Sequence, residues 1–220
     1  MPTTKTQNPR SFRIVGAQQR IDERETPHPR VDRGELGEKL RNWRKINAGS
    51  DPFRRVLGPA GGGAPNPYNS LQHIICAVPD GPVNPERIPV TDTSAMARNI
   101  KEVARFFGAD VVGIAELDPL YVYSHRARGN PATGEKLGDP INLPHRYAIC
   151  LGFASDYEKF LSNNSRISDA DYGLGNIHTI PTTFMLASYI REMGYPAKAH
   201  CHSGYEVNPI PLAVNAGVAA

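Results

Sequence analysis

The chain has 220 residues and a formal net charge of +3, and hydrophobic residues make up 40% of it. This length is enough for one large domain or two small ones of roughly 100–200 residues each. Glycine and proline contribute 20 residues each, more than their usual combined share of about 12%, so many turns are expected. The composition excludes a collagen-like repeat, a coiled coil and a disulfide-dense secreted module.

Membrane insertion and nucleic-acid binding are both disfavoured. There is no apolar run of the roughly 18 residues that a transmembrane helix needs, and residues 1–10 lack the apolar core of a secretory signal. We therefore expect a cytoplasmic protein. Residues 1–60 hold 13 Lys and Arg against 7 Asp and Glu, but the signs are mixed and few aromatic residues are interleaved, so we expect a solvated surface and no nucleic-acid partner.

The first 70 residues differ in composition from the rest of the chain. Residues 1–30 are polar and rich in proline, without an apolar period that could offset the entropy of ordering. The glycine- and proline-rich run 58–65 predicts a flexible break. We therefore divide the chain into an irregular N-terminal arm, 1–70, and an α/β domain, 71–220.

A helix, a turn and a strand are predicted in succession after residue 90. Thr91 and Asp92 are suited to cap a helix N-terminus. Six apolar residues then share one helical face: Met96, Ala97, Ile100, Val103, Ala104 and Phe107. Gly108 predicts the C-terminal end of this helix, and the apolar run 111–115 is typical of a buried strand.

Further elements are predicted in the second half of the chain. Residues 147–153 predict a second strand, and the apolar spacing within 184–190 predicts a helix that ends at Gly194. Residues 195–202 predict a third strand. Because helix, glycine and strand follow one another at Gly108 and again at Gly194, we expect two copies of one packing unit in a single sheet.

Two histidines and one tyrosine are the polar candidates for a site. His200 and His202 share one face of the predicted strand 195–202, because side chains alternate along a strand. A metal would need a third ligand, so we expect no metal and interpret the pair as polar groups that face a crevice or solvent. Tyr172 lies in the segment 169–178, interpreted as a loop before a helix; a neighbouring cation that lowers its pKa would suit it to donate a proton.

The run 208–217 combines two prolines with small apolar residues. Pro209 and Pro211 favour an extended approach of the chain. Small side chains after them permit a close approach to a flat, bulky ligand or to another helix.

Three blocks of this sequence resemble the catalytic subunit of the reductive dehalogenases. They are residues 95–118, closed by Tyr-Val-Tyr-Ser at 121–124, residues 186–197 (LASYIREMGYPA) and residues 210–217 (IPLAVNAG). The last block is similar to the start of the family's stretch iPLAxxAGLGE. The blocks follow the family's order and the resemblance spans about residues 85–217, while residues 1–84 match only loosely.

The resemblance implies both a fold and a chemistry. The family removes halide from organohalides, with a base-off corrinoid (cobalamin) bound in a nitroreductase-like α/β sandwich and two 4Fe–4S clusters that deliver electrons. By order along the chain, Tyr172 is similar to the family's proton-donating tyrosine. The resemblance places the corrinoid contacts at six residues: His200, His202, Ile210, Pro211, Leu212 and Ala213.

The sequence departs from the family after residue 217. The family's cluster motif, Cys-x-x-Cys-x-x-Cys-x-x-x-Cys-Pro, does not occur, and Cys76, Cys150 and Cys201 are too widely spaced for iron–sulfur ligands or a disulfide framework. We therefore predict an incomplete sandwich from a truncated oxidoreductase that acts on an organohalide together with a missing C-terminal half. Whether this chain is itself an enzyme stays open.

Two other hypotheses stand beside this one. The first is a non-catalytic module that binds a corrinoid or a protein partner. The second is a flavin-binding, nitroreductase-like protein.

Overall fold

The computed structural model describes residues 18–42, 80–129, 133–161, 166–201 and 205–219, with only the backbone described at 166–174, 176 and 177. The helices with defined bounds are α1 (Pro27–Asp32), α2 (Thr93–Phe106), α3 (Tyr157–Leu161), α4 (Arg166–Glu192) and α5 (Pro209–Asn215). The strands are β1 (Val111–Glu116) and β2 (Tyr147–Gly152), and short 3-10 turns occupy Glu23–Glu25 and Pro119–Tyr121. In the described ranges, no helix is long and apolar enough to cross a membrane.

The predicted unit of helix, glycine and strand is confirmed at α2 and β1. The Asp92 side chain accepts hydrogen bonds from the Ser94 and Ala95 N–H groups, at 2.8 and 3.0 Å, and so caps the helix. Gly108 follows α2 with a φ of 109°, a conformation that favours glycine. The chain then reverses into β1, which begins three residues later.

The second predicted strand is also confirmed, and it completes a two-stranded antiparallel sheet. Val111 pairs with Gly152 at one end and Glu116 pairs with Tyr147 at the other. Successive side chains of a strand point to opposite faces, so each face of this small sheet contributes to a different cluster of buried residues. The fold is therefore a mixed helix and strand structure built around one β-ribbon.

On one face the sheet packs against α2 and α4, in what we call the first core. Its buried members are Ile100, Ala104, Ala109, Val112, Leu186 and Met193. The Thr182 hydroxyl on α4 donates to the Phe107 carbonyl at 2.7 Å, which ties α4 to the end of α2.

The opposite face packs against α5 and the loops around it, in what we call the second core. Its buried members are Tyr121, Val122, Ile141, Val207 and Leu212. At Gly113 of β1, an added Cβ would lie 2.6 Å from Val218 Cγ2 and 2.8 Å from Ala216 Cβ. The small residues after α5 thus make the close approach that the sequence predicted, but the surface they meet is a strand.

Two predictions about the elements around α4 are wrong. The segment 169–178 is helical, because α4 begins at Arg166; a glycine inside a helix costs only about 1 kcal/mol relative to alanine, so Gly173 and Gly175 do not end it. Residues 195–201 form no strand with any described strand. A strand is defined by its ladder of hydrogen bonds. The second copy of the packing unit of helix, glycine and strand, at Gly194, therefore lacks its strand.

The extended approach predicted for Pro209 and Pro211 is also wrong, since both residues belong to α5. Asn208 caps this helix, with its side-chain oxygen accepting from the Ile210 N–H at 3.3 Å. Proline is well tolerated in the first turn of a helix, where an N–H has no intrahelical acceptor. Both prolines therefore start a helix rather than prevent one.

The described part of the predicted arm buries no residue in its 3-10 turn or in α1, and hydrogen bonds hold it in place. The Arg20 guanidinium donates to the Val122 carbonyl at 3.0 Å and to the Ile141 carbonyl at 2.6 Å. The Ser124 N–H donates to the Ile21 carbonyl at 2.8 Å. Polar contacts with the backbone thus replace the apolar burial that this segment lacks.

Candidate functional site

The four apolar residues predicted as corrinoid contacts lie together on α5. Ile210 is 72% exposed and Leu212 is 3% exposed, while Pro211 and Ala213 are half-buried. Leu212 packs in the second core. Helix α5 therefore has an inner side that anchors it and an outer side, at Ile210, that is available to a ligand.

The chain that leads into α5 is attached to the loop after β1. The Asn208 N–H donates to the Tyr121 carbonyl at 2.7 Å, and the Tyr123 N–H donates to the Glu206 carbonyl at 2.9 Å. Between them, Val207 and Val122 form an isolated antiparallel bridge. These bonds make residues 206–208 a short ribbon, and we call this segment the entry segment of α5.

A buried ionic cluster surrounds the first residue of the entry segment. The Glu206 side chain is 3% exposed, and its Oε1 accepts from Lys198 Nζ at 2.7 Å and also forms an ion pair with Arg126 Nη2. Arg126 Nη2 further pairs with Glu135 Oε1 at 2.5 Å. We call Glu206, Arg126, Lys198 and Glu135 the Glu206 cluster.

The charges in this cluster control the ionisation of Glu206. Burial alone would raise the pKa of Glu206, because a carboxylate loses its hydration there. The neighbouring Lys198, His200 and Arg126 outweigh burial and hold the pKa below its usual value. Glu206 is therefore ionised at neutral pH, and its Oε2 is buried without a hydrogen-bond partner among the described residues.

His200 is the one predicted histidine that the structure describes, and it is half-buried beside the Glu206 cluster. Its Nδ1 faces the Glu206 N–H at 3.5 Å. His202 lies outside the described residues. Within the described ranges, no group of three His, Cys, Asp or Glu side chains is arranged to hold a metal.

Tyr172 lies in the N-terminal half of α4, where only the backbone is described. The structure brings His200 and the α5 residues together through the entry segment.

Sequence reasoning missed Glu206, Arg126, Lys198 and Glu135. These residues come from separate segments of the chain, and an isolated charge in a loop carries no local signal of burial. The expectation that the three cysteines form no disulfide framework is also corrected, because Cys201 is disulfide-bonded. Cys150 is free and half-buried in β2.

Comparisons with known proteins support the fold. No protein-family model matches the chain, and no curated protein matches it. Its structure is similar to that of the catabolic reductive dehalogenase NpRdhA, with a TM-score of 0.72 and 23% identity over 91% of this chain and 27% of that one. A reductive dehalogenase whose structure suggests a mechanism for B12-dependent dehalogenation has a TM-score of 0.69 and 23% identity, over 90% and 27% of the two chains.

A third structure is NpRdhA in complex with 3-bromo-4-hydroxybenzoic acid, with a TM-score of 0.70 and 22% identity, over 91% of this chain and 27% of that one. The chain thus has the fold of one part of the reductive dehalogenases. It spans about a quarter of the length of these solved proteins.

Proposed function

We propose that this chain is the corrinoid-side portion of a reductive dehalogenase-like oxidoreductase. The observation that carries the proposal is the fold, which follows reductive dehalogenase structures over 91% of this chain. The three sequence blocks that resemble the same family include β1, the end of α4 and α5. A structural likeness and a sequence resemblance thus support one family.

The described residues fit a corrinoid in two respects. A corrinoid presents a broad, partly apolar surface, and Ile210 offers an exposed apolar side chain on a helix that the second core holds firmly. A corrinoid also carries carboxamide groups, and His200 supplies a polar side chain beside the entry segment of the same helix. No described group of side chains is arranged to ligate a metal, and the proposal assigns none to cobalt.

Each predicted residue has a definite role in the proposal. Ile210, Pro211 and Ala213 contact the corrinoid, and Leu212 anchors their helix from the inside. His200 and His202 supply polar contacts, and Tyr172 donates the proton that replaces the halide. When bound, the corrinoid supplies the redox-active cobalt for cleavage of the carbon–halogen bond.

The substrate class and the missing parts belong to the same proposal. A neighbouring structure holds a brominated hydroxybenzoic acid, which supports an organohalide as the substrate. The 4Fe–4S clusters that deliver electrons would come from a C-terminal half, since this chain aligns with only 27% of its neighbours. In the whole protein, residues 71–220 would form part of the corrinoid domain and residues 1–70 the arm before it.

Titration of the purified full chain with hydroxocobalamin tests the corrinoid contact. We expect a change in the visible spectrum and a measurable heat of binding. Ile210→Asp is expected to weaken binding, because it places a charge on the outer side of α5. Phe106→Asp is the matched control: Phe106 is 86% exposed and lies on α2, which packs on the opposite face of the sheet.

The outcomes separate corrinoid binding from the flavin-binding alternative. Equal binding by the two variants would remove α5 from the corrinoid site. An unchanged spectrum with no heat would count against corrinoid binding by this chain. Protein that is yellow as purified would support the flavin-binding alternative, and colourless protein would count against it.

A further inference from the structure

We propose that Glu206 is a positioning residue, which fixes where α5 presents Ile210 by tying the entry segment to Arg126 and Lys198. The inference rests on the proposed function for the significance of Ile210. The placement of α5 itself depends only on the contacts of the entry segment.

The Glu206 side chain is held in place by two cationic partners. It is 3% exposed, and Oε1 contacts both Lys198 Nζ and Arg126 Nη2. Arg126 and Lys198 are each only 15% exposed, so neither partner is free to follow a displaced carboxylate into solvent. Charge-assisted hydrogen bonds of this kind are directional as well as strong.

The Glu206 side chain and the backbone of the entry segment are attached to the same loop. Arg126 holds the Glu206 carboxylate, while the Tyr123 N–H holds the Glu206 carbonyl at 2.9 Å. Two residues later, the Asn208 N–H reaches the Tyr121 carbonyl at 2.7 Å. Contacts at the start and at the end of the segment fix both its position and its direction.

The entry segment is connected directly to the first turn of α5. Asn208, the last residue of the entry segment, is also the N-cap, and it accepts from the Ile210 N–H. Ile210 therefore lies in the first turn of α5, one hydrogen bond from the entry segment. A shift of Glu206 would be transmitted to the exposed Ile210 side chain, while Leu212 would be held by its own burial in the second core.

The energetics favour a positioning role over a purely stabilising one. Burying a carboxylate is costly, and an ion pair in a protein interior is often no more stabilising than well-packed apolar residues. Here the cost is visible, because Glu206 Oε2 is buried without a partner among the described residues. What the cluster supplies in this proposal is a fixed geometry, since charge-assisted hydrogen bonds are directional.

Hydrogen exchange on the full chain tests the inference without any corrinoid. Glu206→Gln keeps the size of the side chain and removes its charge. We expect amide protection in α5 to fall by about 10-fold or more, while protection in α2 stays near the wild-type value. The control is Glu116→Gln, which removes an exposed ion pair with Arg146 at 3.5 Å and should alter neither helix.

Two results would overturn the inference: unchanged protection in α5, or an equal loss of protection in α2 and α5, which would mean a general structural role. Should Glu206→Gln fail to fold, Lys198→Met supplies the same test, with a smaller loss because Arg126 still holds the carboxylate.

A hydroxocobalamin titration of Glu206→Gln then links the placement to binding. An affinity reduced by about 10-fold relative to Glu116→Gln is expected, and equal affinities would count against the link. Failure of the wild-type chain to bind hydroxocobalamin would reject the proposed function, whereas the exchange pattern would still decide the role of Glu206.

Discussion

The two faces of the β-ribbon are organised by different kinds of interaction. The first core joins two helices and both strands through apolar residues that recur with helical and strand periodicity. The second core is assembled from loops and the short helix α5, with the Glu206 cluster beside it. The first core is thus held together by regular apolar packing between helices and strands. The placement of the second core depends on a few contacts between residues that are distant in the chain. We expect the residues that contact a ligand on the face of the sheet that carries the second core.

The largest effect should come from removing the anchor of α5. Leu212→Ala leaves a cavity in the second core and should lower the free energy of unfolding by about 2–5 kcal/mol. Ile210→Ala is the matched control on the same helix, and its 72% exposure predicts a change of less than about 0.5 kcal/mol. Urea denaturation of both variants would measure the difference. Equal losses would show that α5 has no inner and outer side.

A smaller effect is expected where α5 meets the sheet. Gly113→Ala would place a Cβ 2.6 Å from Val218 Cγ2 and against the Ala216 carbonyl, so the turn after α5 must move away from β1. Overpacking of this kind costs about 1–3 kcal/mol. Denaturation measures the cost, and near-UV spectra would report the displaced packing. A neutral substitution would contradict the close approach of these two segments.

A stabilising change is expected in α4. Gly175 lies inside this helix, and an added Cβ would meet no atom of the described residues within 4 Å. Gly175→Ala should therefore raise the free energy of unfolding by about 0.5–1 kcal/mol, since alanine favours the helix. A loss of stability would mean that residues near 175 are not helical, and would restore the loop predicted from the sequence.

The smallest expected effect is on the pH dependence of stability. Because the folded pKa of Glu206 is lowered, its contribution is complete above the unfolded value of about 4.3 and is lost as the pH falls through the folded value. Burial raises the pKa of Glu23, so the protonation of Glu23 at low pH acts in the opposite sense. The Glu206 charge contributes the smallest part of that raise, so most of the Glu23 effect is kept in the variant. Glu206→Gln should therefore weaken the acid destabilisation, as measured by thermal melts at pH 3–6. Superimposable pH profiles would contradict the ionised, paired state of Glu206.

The sequence predicts the first core better than the second for a physical reason. Asp92, Gly108 and the strands β1 and β2 act through local chemistry, namely a cap, a left-handed turn and apolar runs. These signals lie within a few residues of the elements that they specify. The ends of these elements could therefore be predicted from the sequence alone.

The errors lie where one local pattern is compatible with more than one structure, or where a feature depends on contacts between distant residues. The extended residues 195–201 find no strand partner among the described residues, and the glycines before His178 are accommodated inside α4. The Glu206 cluster brings together residues that are distant in the chain, so no periodicity or motif in the sequence predicts it. The proposed corrinoid contacts came from a resemblance, and they stay a prediction until binding is measured.

The most direct test of the account is to read the coding sequence beyond codon 220. A portion of a reductive dehalogenase-like protein predicts a continuing or adjoining reading frame that encodes two motifs of the form Cys-x-x-Cys-x-x-Cys-x-x-x-Cys-Pro. Such a frame would supply the electron-transfer half that the proposed function needs. Unrelated coding sequence at that place, with neither motif, would contradict the claim that this chain is part of such an enzyme.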